Sequence, residues 1–366
     1  MLRFLTYYTS VALILPLVTA HASIWHPSMW GFNVTQGTFP YDNRPVAPLR
    51  NKTFQEWWFH NHLDHPPNPG DFFELPAGGR ATAEIACTKD ATSYWNIAPD
   101  GGRDIQDNNN VCPGSPTMEY HTTGIDDVKG CALAIAYKAN VSDVKPEDFT
   151  IFSVNQTCVW TRFTDFQVPQ KMPACPEGGC ICSFFWIHSA DAGGEENYMN
   201  GFRCNVTNMS STTPLAKPEV PRRCGPDPEN NRHFSAPQNC TYGAKQPFYW
   251  LNDNSNMFEG DHAPPGYNDL YNFADGPQND IFEDFYATKP TPGVVAALPV
   301  LANSGPVAKD TADGDCESPS SSSSSFTGYH TALSRRGSVS DEEEIDPRLF
   351  RRYVTRALLR TTRTNK

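Results

Sequence analysis

Ten cysteines stand between positions 87 and 240: Cys87, Cys112, Cys131, Cys158, Cys175, Cys180, Cys182, Cys204, Cys224 and Cys240. An eleventh, Cys316, stands apart in a low-complexity stretch. So many thiols either ligate metal or oxidise in pairs, and the first twenty residues choose between the two. They read MLRFLTYYTSVALILPLVTA, with Arg3 ahead of an apolar run at 11–18 and small residues at Val18-Thr19-Ala20. That is the pattern of a cleaved secretory signal peptide. In an oxidising compartment the even set of ten can pair fully as disulfides. Cys180-Ile181-Cys182 lacks the spacing of a zinc knuckle, and no matching pair stands near it. The sequence leaves the pairing open.

Behind the leader there is enough chain for one large domain or two small ones. Proline (32) and glycine (25) are abundant, and sustained helical periodicity is scarce before the C-terminus, which favours a β-rich body with long loops. Short β-branched or aromatic runs at 82–87, 131–137, 149–154, 159–166 and 182–188 are the strand candidates. Their spacing predicts a mainly β fold, an immunoglobulin- or fibronectin-III-like sandwich of two antiparallel sheets with few short helices. The run Trp57-Trp58-Phe59 falls among predicted loops at 36–80. Asn-x-Ser/Thr sequons at Asn33, Asn51, Asn140, Asn155, Asn205, Asn208 and Asn239 agree with a secreted glycoprotein.

The net charge of −12 argues against a nucleic-acid binder and is compatible with a neutral sugar polymer as partner. After the leader, no stretch is long and apolar enough to span a bilayer. The composition divides the chain into a signal peptide at 1–20, a body at 21–302 and a tail at 303–366. The tail holds a serine run at 320–325, an acidic run at 341–344 and a basic segment at 346–366. In that segment Leu349, Phe350, Tyr353, Val354, Ala357 and Leu358 recur at helical spacing among arginines. Such a helix is basic and amphipathic, suited to an anionic membrane or wall polymer. The alternative is a solvated tail, removed at the dibasic pairs Arg335-Arg336 or Arg351-Arg352.

Cleavage after Ala20 makes His21 the first residue of the mature chain. Its α-amine, with a pKa of about 7.7–8.0, and its ring Nδ1 can then close one chelate ring on a metal. One further imidazole gives three nitrogens in a flat T, a donor set that favours Cu(II). Cleavage after Ala22 satisfies the same small-residue rule and leaves Ser23 first. For the second imidazole, His121 lies in the loop sequence Glu119-Tyr120-His121-Thr122-Thr123-Gly124. His188 ends an apolar strand and is followed by a loop that returns Glu196 and Tyr198. Two residues apart on an extended chain, those two face the same way. Each has a plainer role available: a loop histidine bonded to backbone, a core histidine, a packed tyrosine. His60-Asn61-His62, with His65 nearby, is a rival metal cluster. Pro66-Pro67 and the lack of an accompanying carboxylate or cysteine set place it on a surface loop.

Taken together, His21 with Trp25-His26-Pro27-Ser28-Met29, the segment around His121, Trp186-Ile187-His188-Ser189-Ala190 and Glu196-Asn197-Tyr198 resemble a fungal lytic polysaccharide monooxygenase. The likeness is strongest to auxiliary activity family 14, described as acting on xylan that coats cellulose, and these motifs carry it over roughly 21–300. The resemblance implies one copper ion per chain. It would be held by the amine and Nδ1 of His21 and Nε2 of His121, with Tyr198 axial, and His188 and Glu196 would hydrogen-bond or shuttle protons beside it. At the position of Glu196 the larger cellulose-active family has a glutamine. The resemblance further implies a secreted monomer that takes electrons from an external donor and uses O2 or H2O2. Trp25, Trp30, Trp57 and Trp58 are then candidates for sugar stacking, with at least one or two of them expected in the core instead. A secreted copper-binding protein with the same nitrogen brace but no polysaccharide cleavage is the alternative.

Overall fold

The structure, a computed structural model, describes residues 21–33, 44–94, 109–112, 124–188, 196–228, 231–256 and 264–287. The leader, the segment 113–123 and everything beyond 287 lie outside them. So do His121, Cys316 and the expected amphipathic tail helix. Among the described residues nine strands form two sheets. They are β1 (Ser23–Trp25), β2 (Phe73–Pro76), β3 (Arg80–Ala86), β4 (Cys131–Ala136), β5 (Thr150–Asn155), β6 (Phe163–Gln167), β7 (Cys180–Ile187), β8 (Asn197–Thr207) and β9 (Gly276–Pro277). A three-stranded sheet runs β1-β3-β6, and a six-stranded sheet runs β2-β8-β7-β4-β5-β9. The β-sandwich expected from the sequence is therefore present. One pair departs from the antiparallel rule, since β2 joins β8 in parallel.

The first core lies between the two sheets. Ile24, Ala83, Ile85 and Phe166 from the small sheet meet Leu133, Phe152, Phe184, Trp186 and Phe202 from the large one. The other face of the large sheet is covered as well, by a second core of Trp30, Trp57, Trp58, Phe59, Tyr249, Tyr267 and Phe273 over Ala134, Ile151, Phe185 and Met199. Burial on both faces explains why β4 and β7 are apolar at nearly every position instead of alternating.

The aromatic run expected in a loop instead begins with α1 (Phe54–Trp57). Its turn is capped by Thr53, whose backbone N–H and hydroxyl both donate to Glu56. Phe59, His60 and Asn61 then take left-handed backbone angles, with φ of 51°, 54° and 55°. This reverses the chain and lays Phe59 onto β8. There Gly201 has no side chain because a Cβ would stand 2.0 Å from the Phe59 ring.

Two further strand expectations shift. The candidate at 159–166 begins only at Phe163, because residues before it turn to bury Val159 and Arg162. β8, the longest strand at 11 residues, was not foreseen. All ten clustered cysteines are paired: Cys87–Cys112, Cys131–Cys158, Cys175–Cys180, Cys182–Cys204 and Cys224–Cys240. Cys182–Cys204 links β7 to β8, and Cys131–Cys158 holds the start of β4 to the turn after β5. Among the described residues no helix is long and apolar enough to cross a membrane.

Candidate active site

The C-terminal end of β7 and the N-terminal end of β8 are neighbours, with Trp186 opposite Tyr198 and Ile187 opposite Asn197. The chain therefore leaves β7 at His188 and re-enters beside it at Glu196. His21, two residues ahead of β1, reaches the same corner. The Tyr198 hydroxyl is 2.9 Å from Nδ1 of His21 and donates to Oε2 of Glu196 at 3.0 Å. That same carboxylate oxygen lies 3.8 Å from Nδ1 of His21 and 3.8 Å from Nε2 of His188. Four of the five site residues expected from the sequence thus meet around one carboxylate oxygen. The fifth, His121, lies outside the described residues.

The electrostatics follow from burial. Burial first, and then the charge of His188, lower the pKa of His21 to about 4, so its ring is neutral near pH 7. Burial raises the pKa of Glu196, opposed by the Tyr198 hydrogen bond and by Arg50. Tyr198, 1 % exposed, is pushed well above the ordinary phenol range by burial and then by Glu196, so it stays protonated. Trp186 stacks on the Tyr198 ring, with centroids 4.4 Å apart and planes 22° from parallel, which fixes the direction of the hydroxyl.

A family model described as lytic polysaccharide monooxygenase AA14 matches residues 3–363. The match runs well past both ends of the stretch at 21–300 that carries the sequence motifs. The chain belongs to the AA14 family of lytic polysaccharide monooxygenases. An AA14 family lytic polysaccharide monooxygenase B of Trametes coccinea is 64% identical over 281 residues, covering 76% of this chain and 67% of the relative. Form A from the same species is 55% identical over 309 residues, 84% of this chain and 69% of the relative. A form B of Talaromyces rugulosus is 24% identical over 299 residues, 75% and 97%. The chain is thus a copper-dependent oxidoreductase of the polysaccharide-monooxygenase class.

The corner fits copper. A neutral imidazole is the form that ligates metal. His21 Nδ1 and the Tyr198 oxygen stand 2.9 Å apart, so one bound ion would reach both. Among the described residues, no group of three His, Cys, Asp or Glu is arranged to hold a metal. The brace expected from the sequence draws only His21 from the described residues.

The rival cluster in this monooxygenase is differently placed. His60 and His62 are buried, not on a surface loop. Both ring nitrogens of His60 face backbone carbonyls, Nδ1 that of Met199 and Nε2 that of Ala47 at 2.7 Å. A ring so engaged has no lone pair directed at a metal. The four candidates for sugar stacking are all inside, not only the one or two expected in the core: Trp25, Trp30, Trp57 and Trp58 all belong to the cores. The Trp25 indole donates to the Ala86 carbonyl and that of Trp57 to Asp253.

Two residues of the corner were not foreseen. Arg50 is an exposed cation whose charge acts on Glu196. Asn197, buried between Glu196 and Tyr198, donates its side-chain amide to the carbonyls of Leu49, at 3.0 Å, and Trp250. Its own carbonyl accepts the Leu49 N–H at 2.9 Å. Asn197 thereby seats two loops on the strand beside the reacting corner. A polar residue at a strand start was its only sequence signal.

Proposed function

We propose that this chain is a secreted monooxygenase, cut between Ala20 and His21, that oxidatively cleaves xylan or hemicellulose-coated cellulose. One copper ion would be held by the amine and Nδ1 of His21, by Nε2 of His121 and by the Tyr198 hydroxyl. When bound, copper supplies one-electron chemistry with an external reductant and either O2 or H2O2. Hydroxylation at a carbon of the glycosidic link then makes that link labile.

The chain's own residues have three tasks. The buried ring of His21 stays neutral and so stays available as a ligand. Tyr198, stacked on Trp186 and donating to Glu196, presents an oxygen that keeps its proton. Glu196 Oε2, with a raised pKa and His188 Nε2 at 3.8 Å, is the atom suited to hold a proton and release it. Cleavage before His21 is supported by Ala22, which is fully buried and would be lost by a cut two residues later.

The body would span 21–302 and act as a monomer. The tail at 303–366 would stay outside the catalytic unit, with its basic segment free to touch a wall polymer or membrane surface. The observation that carries the reading is the meeting of His21, Tyr198, Glu196 and His188 at one oxygen. The test is mass spectrometry of soluble products from xylan-coated cellulose with copper-loaded protein and ascorbate, beside His121→Ala. Oxidised xylo-oligosaccharides that vanish in the variant are expected. Copper binding without oxidised products from any wall polymer would overturn the reading.

A further inference from the structure

A polymer-cleaving site needs a surface that grips the polymer, and the tryptophans first suspected of this are in the cores. Trp250 is different. It is half-buried: it packs against the second core yet remains partly open to solvent. Among the described residues its indole N–H meets no acceptor and its ring meets no aromatic partner. Trp25 and Trp57, by contrast, spend their N–H groups on carbonyls, and Trp186 lies on Tyr198.

Its position is tied to the reacting corner. The Trp250 carbonyl accepts the amide of Asn197, the residue between Glu196 and Tyr198. The same carbonyl accepts the Asn252 amide at 3.0 Å. The turn is held on its other side too. The Asn51 N–H donates to the Leu251 carbonyl at 2.8 Å, and the Lys52 N–H donates to Asn252 Oδ1 at 3.0 Å. Between these anchors Leu251 takes a left-handed backbone, φ 61°. That conformation is unfavourable for a branched side chain and persists only where surrounding bonds enforce it, as they do at ligand clamps.

We propose that Trp250 is a platform for one pyranose ring of the polysaccharide, on the Asn197 side of the copper corner. One face of a pyranose is a patch of C–H groups with slight positive charge, which matches the negative face of an indole. The free N–H can in addition donate to a ring hydroxyl. A neutral sugar suffices, in keeping with an acidic protein. The inference rests on the polysaccharide reading and adds the residue that positions the chain.

The experiment measures depletion of copper-loaded protein onto xylan-coated cellulose for wild type, W250A and W250F. W250A is expected to raise Kd at least tenfold and W250F less than threefold. The copper paramagnetic-resonance spectrum and peroxide formation without polysaccharide should stay unchanged in both. W250A binding like wild type, or W250F as impaired as W250A, overturns the proposal. A second measurement needs no variant. Hydroxyl-radical footprinting of the wild type should label Trp250, and soluble xylo-oligosaccharide should protect it. Protein that binds the polymer while Trp250 stays unprotected overturns this proposal alone. Wild type that binds no wall polymer overturns both it and the substrate reading.

Discussion

Among the described residues the molecule has two histidine-rich places, and their ring nitrogens face different groups. At the β7–β8 corner, His21 and His188 face a hydroxyl and a carboxylate. In the turn after α1, His60, His62 and His65 lie near one another, with ring centroids about 6.1 Å apart in each successive pair. There the His60 nitrogens meet two backbone carbonyls. A neutral imidazole has one N–H to give, so one of those carbonyls always faces a ring lone pair. The first arrangement leaves nitrogen lone pairs and a movable proton in reach of a ligand. The second consumes them in holding the loop at 44–50 to β8. The density of histidines does not separate the two; the groups opposite the ring nitrogens do.

That contrast can be broken by substitution. His121→Ala should abolish oxidised products and tight copper binding while leaving the melting temperature of the apo protein nearly unchanged, read by mass spectrometry and calorimetry. His60→Ala should do the reverse. It removes a buried ring and leaves the one carbonyl that accepts its N–H, that of Met199 or of Ala47, without a donor, which costs about 2–4 kcal/mol in urea unfolding. Copper per folded molecule should not change, and a loss of copper would show that the turn reaches the site.

Glu196→Gln sharpens the contrast within the corner. It keeps a polar partner for Tyr198 but removes the titrating group. Product formation should fall roughly tenfold, below the roughly 10²–10⁴-fold typical of acid–base groups, because His188 stands 3.8 Å from the same oxygen as a second proton holder. An unchanged rate and pH profile would remove Glu196 from the mechanism.

The smallest effect is expected at a histidine outside both places. His26 accepts the Ser28 N–H at Nδ1, 3.1 Å away, and burial lowers its pKa from 6.5 to about 4. Between those values the unfolded chain binds more protons than the native one, so stability falls as pH falls through that window. His26→Gln should flatten the decline by about 1–2 kcal/mol, a figure discounted for the ring's remaining exposure. Urea midpoints at pH 7 and pH 4.5 read it directly.

Much of the corner was legible in the sequence because its logic is local. A strand that ends at His188 and a returning chain with Glu196 and Tyr198 two apart are visible in the residue order. β7, CICSFFWI, is apolar at every position but Ser183 and announces itself. β8, NYMNGFRCNVT, does not, because its buried asparagines are satisfied from far away. Asn197 reaches Leu49 across 148 positions, and Asn200 reaches Pro45 across 155. The number of disulfides was legible and their pairing was not, since pairing follows sheet register. The tryptophans misled for a related reason. A six-stranded sheet buried on both faces needs a second apolar layer, and a residue list cannot say which aromatics that layer will absorb.

The strand lengths of the large sheet have a consequence for how copies of the protein meet. Its interior strands β7 and β8 run 8 and 11 residues, whereas its rims are β2, with four residues, and β9, with two. Among the described strands, the hydrogen-bonding groups that could template another copy are thus confined to a few positions at each margin. Short rims are one of the ways in which β proteins resist stacking edge to edge. Rims this short leave a neighbouring copy little ladder to join.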